Sequence, residues 1–598
     1  MKNMKKLIAL LLTFTLVMSM GIGAMAAPGD PEYDVPLTVT GLAEGDVAHF
    51  YQVIEWVGDA EGNVAGWKAV APFDSYLTEE NLTDILVGTP VADDPDTPED
   101  ESEASVPPTG ITSEIAGEIA KLASGDGSVI EAVSGTATLQ NTAPGMWMAL
   151  IDPADAKTVY NPVFVSADYN LEGGGTVAVT DSFIDSETQS VAKSSTLKLE
   201  KEAEDETSVD SDPEHTTAVG DTVVFTVKTT IPVYGFVYDE PHFAVKDELT
   251  GLEVDIESVK VTTPEGLVKG TDYTVEDTST GYTLTFNEDY LKGLLVATDV
   301  VIEYKAIVTS AAEYAVNEES NDVVIEFSHK PNEQDDYSVL KDTTQHYTFS
   351  IDAEGAGSGE DVSGKKTSEL VKIGVNADGT PITQVTETSA ITSTETWTGP
   401  LDGAVFGLYT AKSEEAPYIP KNADGTPGTE PMTAITGTDG RLSFTGLDAG
   451  TYYLREISAP AGFVTDSKTY HEIVIAAETE TVSVTEWWNG SEWVDTKPTS
   501  GTAKEVTYDT DVLKSYTVTI DGKLTAKYTF TNAEETTSNE INWEEAELEE
   551  HPFELENPKG TELPSTGGIG TTMFYVVGSV LVIGAVVLLI SKRRMNAR

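Results

Sequence analysis

Thr222-Val-Val-Phe-Thr-Val-Lys228 puts Val223, Phe225 and Val227 on one side of an extended chain. Thr222, Thr226 and Lys228 fall on the other. Side chains alternate across a strand, so this stretch predicts a strand with one face in a core. Tyr282-Thr-Leu-Thr-Phe286 and Lys514-Ser-Tyr-Thr-Val-Thr-Ile520 repeat the pattern. These segments are short, rich in Thr, Val and Tyr, and separated by Gly, Asp and Asn. That combination predicts an all-β chain of tandem Ig-like β-sandwiches rather than parallel α/β units. Helical periodicity is confined mainly to Glu79 through Leu86 and Ser113 through Leu122, which makes the N-terminal part α+β. Between them, Ala92 to Pro108 is acidic and proline-rich. It lacks the spaced ligands of a calcium loop and reads as a solvated loop. No convincing internal repeat stands out beyond the shared β character.

Both ends carry export signals. Leu563-Pro564-Ser565-Thr566-Gly567 is followed by an uncharged run from Met573 to Ile590 and then Lys592-Arg593-Arg594. The run is long enough to cross a bilayer as a helix, and the basic tail should hold its far end in the cytoplasm. This order fits a cell-wall sorting signal cut between Thr566 and Gly567 by a sortase. At the other end, Met1 to Lys6 carries three lysines, Leu7 to Ile22 is mostly apolar, and Ala24-Met25-Ala26 is a small-x-small cleavage site. That reads as a secretory signal peptide over 1–26. The mature chain is therefore expected outside the cell, anchored to the wall through Thr566 after a membrane-bound precursor stage.

About 540 residues lie between the processing sites, enough for several domains with real cores. Breaks in the pattern divide them into 27–190, 191–335 and 336–560, the last with long insertions. The formal charge of −66 repels phosphate backbones and argues against nucleic acid as a partner. Cysteine is absent, so neither disulfides nor thiolate metal sites reinforce the exported chain. The seven histidines are scattered, and no hydrolase or phosphate-loop motif occurs. No metal, no cofactor and no turnover enzyme are expected.

Two internal stretches carry a family likeness: Leu401-Asp-Gly-Ala-Val-Phe-Gly-Leu-Tyr409 and the run Gly440-Arg-Leu-Ser-Phe-Thr-Gly-Leu-Asp-Ala-Gly-Thr-Tyr-Tyr-Leu-Arg-Glu-Ile-Ser-Ala-Pro-Ala-Gly-Phe463. With the sorting signal, they make the chain resemble Gram-positive sortase-assembled pilus backbone subunits of the SpaA-like, isopeptide-forming kind. The resemblance implies CnaA-type and CnaB-type sandwiches holding internal Lys–Asn amides formed with the help of a carboxylic acid. It also implies head-to-tail joining of identical subunits by a sortase, attachment to peptidoglycan, possible minor pilins as partners and a role in adhesion to a surface ligand. A minor or tip pilin, or a monomeric wall-anchored adhesin, is the alternative.

The chemistry of such an amide can be checked against strand parity. A lysine buried among apolar groups sheds its charge and becomes a nucleophile, so lysine, asparagine and acid must all face a core. Leu197, Leu199 and Lys201 share a face, with Lys198 on the other. Asn321, Val323, Ile325 and Phe327 share another, and so do Phe243, Val245 and Asp247. Lys201 and Asn321 are the candidate pair for the second domain, with Asp247 as acid and Glu265 as its rival. In the third domain, Tyr452, Leu454 and Glu456 share a face, as do Phe553, Leu555 and Asn557. The resemblance places the acid at Glu456 and the amide at Asn557. Lys372, in Glu369-Leu-Val-Lys-Ile-Gly374, is the candidate lysine. Its parity is ambiguous, because Leu370 shares its face while Val371 and Ile373 lie on the other. Backbone pilins also need a surface lysine to accept the sortase-held Thr566 of another copy. The usual Tyr-Pro-Lys is missing here, and Lys193 has the matching interdomain position.

Overall fold

The computed structural model describes residues 35–58, 64–78, 82, 85, 110–143, 145–167, 189–205, 215–235, 237–309, 316–333, 336–351, 370–376, 378–380, 382, 384–387, 395–490, 492–499, 503–531, 540–542 and 553–560. The signal peptide, the acidic stretch 92–108, Leu563 to Gly567 and the apolar run 573–590 lie outside them. Among the described residues, no helix is long and apolar enough to cross a membrane.

The protein is built almost wholly of strands. In the first part, Val35–Thr40 lies between Thr136–Thr142 and Gln189–Val191, and a second sheet orders Val64–Ala69, Val47–Gly58, Gly145–Asp152 and Val163–Ala167. Leu37, Val39 and Phe50 are buried in one cluster, and Val53, Phe73 and Met148 in another. The helix Ser113–Lys121 closes the second cluster with Ile119 and Ala120. Thr112 caps it by accepting from Ile115 N, satisfying one of the amides a helix start leaves unpaired. Of the segment Glu79 to Leu86, Leu82 and Ile85 are described, both helical and buried.

The middle part is a sandwich. One sheet orders Leu199–Asp205, Thr222–Ile231, Thr298–Val308 and Leu252–Thr263. The facing sheet orders Tyr273–Asp277, Gly281–Phe286, Phe243–Thr250, Val316–Ser328, Tyr337–Ile351 and Phe444–Leu447. Val223, Phe225, Val227 and Ile302 from the first meet Val245, Leu284, Val323 and Ile325 from the second in one core. The inward positions of Thr222–Ile231 are those its alternation names.

The strand Tyr337–Ile351 serves two cores, with Leu340 in the middle one and Phe349 and Ile351 in the third. It pairs with Val316–Ser328 from Ser328↔Tyr337 to Val316↔Phe349. The division at 335/336 thus falls between two fully paired strands, and the two cores share a sheet. The third part adds a large sheet that runs through Val405–Tyr409, Gly450–Ser458, His471–Trp488 and Lys504–Ile520. A separate parallel pair joins Leu370–Val375 to Phe553–Pro558.

Candidate functional site

In the middle sandwich, Lys201↔Val227 lies in one sheet while Asp247↔Val323 and Leu249↔Asn321 lie in the other. The pairing puts Asp247 and Asn321 on the same face, and Lys201 reaches across the core to both. Its Nζ is 2.6 Å from Asn321 Oδ1 and 3.0 and 3.1 Å from the two oxygens of Asp247. The side chains of Lys201 and Asp247 are fully buried, and so is Asn321. Phe225 and Tyr304 wall the amine, with ring centroids 5.4 and 5.8 Å from Nζ.

Burial drives the Lys201 amine below the usual lysine range, although Asp247 opposes the shift. The same burial drives the Asp247 carboxyl above its usual range against the pull of Lys201. Both shifts favour moving the proton from nitrogen to oxygen. A proton moved that way gives a neutral amine beside a protonated acid, the state a nucleophilic attack on an amide requires. Glu265 is exposed in the segment between Leu252–Thr263 and Tyr273–Asp277. Asp247 is the acid that touches the amine.

The second constellation sits where the first and last strands of the third part meet. Gly374↔Asn557 and Lys372↔Leu555 are in register, so Lys372 and Asn557 share a face as diagonal neighbours. Glu456 stands between them. Its Oε1 is 3.5 Å from Lys372 Nζ, and its Oε2 accepts from Asn557 Nδ2 at 2.8 Å and from Asp466 N at 2.6 Å. Asn557 Nδ2 also donates to Val464 O at 2.5 Å. All three side chains are buried. Desolvation lowers the Lys372 amine, with Glu456 opposing it, and the Phe406 ring lies 5.4 Å from its Nζ. The lysine backbone is held by the two stretches that carry the family likeness: Lys372 N donates to Gly440 O, and Leu401 N to Lys372 O. Gly440 has φ +80°, and a Cβ there would lie 2.5 Å from Lys372 O.

Lys193 is exposed between the short strands Gln189–Val191 and Ser194–Thr196, and its carbonyl accepts from Asn161 N. Among the described residues, no group of acidic, histidine or cysteine side chains is placed to hold a metal.

Residues 387–487 match the SpaA family, a prealbumin-like fold domain, and residues 556–596 match the LPXTG cell wall anchor motif. The trypsin-resistant surface T6 protein of Streptococcus pyogenes serotype M6 is 26% identical over 498 residues, covering 77% of this chain and 81% of that protein. The solved T6 backbone pilin, described as a modular three-domain structure decorated with variable loops and extensions, shares the fold. It has a TM-score of 0.50 and 18% identity, with 90% of this chain and 100% of that one covered. The chain is thus similar to sortase-anchored Gram-positive pilins over most of its length. Full-length SpaD of Corynebacterium diphtheriae is also similar, at 16% identity and a TM-score of 0.40 over 74% of this chain and 92% of SpaD. The chain is accordingly a secreted, wall-anchored structural protein.

Three participants escape parity analysis of the candidate residues. Tyr304 donates to Asp247 Oδ2 at 2.9 Å and accepts from Asn321 Nδ2 at 2.7 Å, tying acid to amide. Its alternation with Ile302 and Ala306 was the signal that could have found it. Asp342 anchors the Lys201 backbone, accepting from its N at 2.7 Å, and comes from a strand no local pattern links to it. Phe463 packs over Gly374, where an added Cβ would lie 2.7 Å from its ring. Gly374→Ala is therefore expected to cost about 1–3 kcal/mol through overpacking, read as a lower denaturation midpoint of the third part.

Proposed function

We propose that this chain is the shaft subunit of a covalently joined pilus, reinforced by Lys201–Asn321 and Lys372–Asn557 amides. Each amide forms when the neutral lysine Nζ attacks the asparagine side-chain carbonyl carbon. The carbon–Nδ2 bond breaks, the Nδ2 leaves with the transferred proton as ammonia, and one amide replaces another. Asp247 and Glu456 relay the proton. Each bond forms once per molecule, so this is maturation rather than turnover.

The observation that carries the reading is where the two constellations fall along the chain. A sortase joining Thr566 of one copy to Lys193 of another would load the chain between 193 and 566. The amides bridge 201–321 and 372–557 and take the tension off both intervals. Only 193–201, 321–372 and 557–566 stay in the load path. The first part, before Lys193, carries no load, and the reading requires no amide there. A tip adhesin would need Thr566 but no acceptor lysine.

The direct test is the intact mass of the folded, exported part, expected to fall short of the sequence mass by two molecules of ammonia. A full mass would remove both amides. The rate of maturation after refolding carries a further expectation. The neutral amine and protonated Asp247 together hold one proton, the same total as their ion pair. Joining of Lys201 should therefore be flat across neutral pH. It should fall in acid, where a second proton makes the amine a cation, and in strong alkali, where Asp247 loses its own. A rate rising steadily with pH through neutrality would mean that the amine loses its proton to solvent rather than to Asp247.

A further inference from the structure

The chain contains Asn-Ala-Asp-Gly-Thr-Pro twice, at 376–381 and 422–427, a repeat too short to stand out from the strand pattern. The described residues of the two copies fold alike. Asn376 N donates to Thr380 O and Gly379 N to Asn376 O. Asn422 N donates to Thr426 O and Gly425 N to Asn422 O. Thr380 and Thr426 donate their hydroxyls to Asp378 and Asp424 at 2.7 and 2.5 Å, and accept from Asn376 and Asn422 at 3.0 and 2.8 Å. Gly379 and Gly425 are both left-handed, at φ +82° and +75°. Each copy is a knob braced from within.

The second knob is seated on the middle sandwich. A Cβ at Gly220 would lie 2.4 Å from Asn422 O, Gly425 lies against Ile307, and Lys421 Nζ donates to Asp221 Oδ1 at 2.8 Å. The seat is a turn in which Ala218 N donates to Asp221 Oδ2 at 2.9 Å, with Gly220 at φ +85°. The first knob is exposed at the end from which the chain leaves for the sorting signal, since Lys559 N donates to Val375 O.

The seat also occurs twice. Ala43 N donates to Asp46 Oδ2 at 2.7 Å, Gly45 has φ +86°, and a strand follows, as at 218–222. Ala43 and Glu44 are exposed. This turn adjoins Lys193: Ala192 N donates to Thr40 O, and a Cβ on Gly41 would touch Val191. Val191 and Val133 are 63% and 65% exposed beside it. The turn recurs without the Lys421–Asp221 pair, since the aspartate is kept as the buried Asp46 and the lysine is not kept. Position 375 is Val where the second copy has Lys421, and Asp46 Oδ1 accepts from Ala154 N instead.

We infer that the knob of Asn376, Asp378, Gly379 and Thr380 seats on the Ala43–Asp46 turn of the next subunit, repeating between copies a contact already made within each. The inference rests on the Thr566–Lys193 linkage proposed above. Thr566 lies six positions beyond Gly560, a reach of at most about 20 Å, so that bond would hold knob and turn together.

The chain has no cysteine, so an Ala43→Cys, Asp378→Cys double variant reports the contact as a disulfide, which needs Cα atoms within about 7 Å. Fibres of this variant, mildly oxidised and digested without reductant, should yield a peptide pair joining 43 to 378. An Ala43→Cys, Val268→Cys control, with its second site exposed on the middle sandwich, should not. A normal ladder linked through Lys193 but lacking the 43–378 pair overturns the inference and leaves the linkage standing. Fibres of the unsubstituted chain joined through another lysine overturn both.

Discussion

Asp247→Asn is expected to leave Lys201 and Asn321 unjoined, so that the exported part lacks one ammonia instead of two. Asparagine can still hydrogen-bond to the amine but cannot take its proton, and a charged Lys201 cannot attack. An amide between Lys201 and Asn321, which lie 120 positions apart, would close a loop for which the chain-entropy relation gives about 5 kcal/mol. For a domain of this size that corresponds to a fall of about 10–20 °C in Tm. The lone buried lysine adds to the loss, because removing one partner of a buried pair leaves its charge uncompensated. Glu265→Gln should leave both the double ammonia deficit and the melting unchanged. A double ammonia deficit in the Asp247 variant would take the acid role away from that residue.

The second large effect is on assembly. Lys193→Ala should abolish the ladder of detergent- and heat-resistant polymers on gels while leaving the subunit folded and its ammonia deficit intact. The effect is all-or-none, because no amide can form between copies without an acceptor amine. Lys193→Arg should abolish it equally, since a guanidinium stays protonated. Lys198→Ala, at the next lysine along and also exposed, should polymerise normally. A ladder that survives Lys193→Ala and vanishes with Lys198→Ala would move the junction to Lys198.

The two lysines of the proposed amides show why local pattern reaches one site and not the other. Lys201 opens an edge strand of a sandwich whose other face meets solvent, and Glu200 and Glu202 are exposed around it. Alternation there has contrast, so the direction of the side chain is legible. Leu370–Val375 is buried along its whole length. Val371, Ile373 and Val375 form a cluster of their own on the face opposite Lys372 and Leu370. A strand apolar on both faces carries no period of two to read. The division of the cores is hidden differently: Tyr337–Ile351 is rich in polar residues yet buried throughout apart from Tyr337 and Gln345, and it passes from one core to the next without a break.

Sequence alone determined the all-β class, the export and anchoring signals, and the residue types able to form amides, because these depend on local alternation and short motifs. Tertiary structure decided which acid meets which amine, that Tyr304 ties Asp247 to Asn321, and that the strand holding Lys372 lies parallel to the one holding Asn557. Those contacts join residues far apart in the chain. Their partners are selected by the packing of two sheets across a shared core, which no run of neighbouring residues encodes.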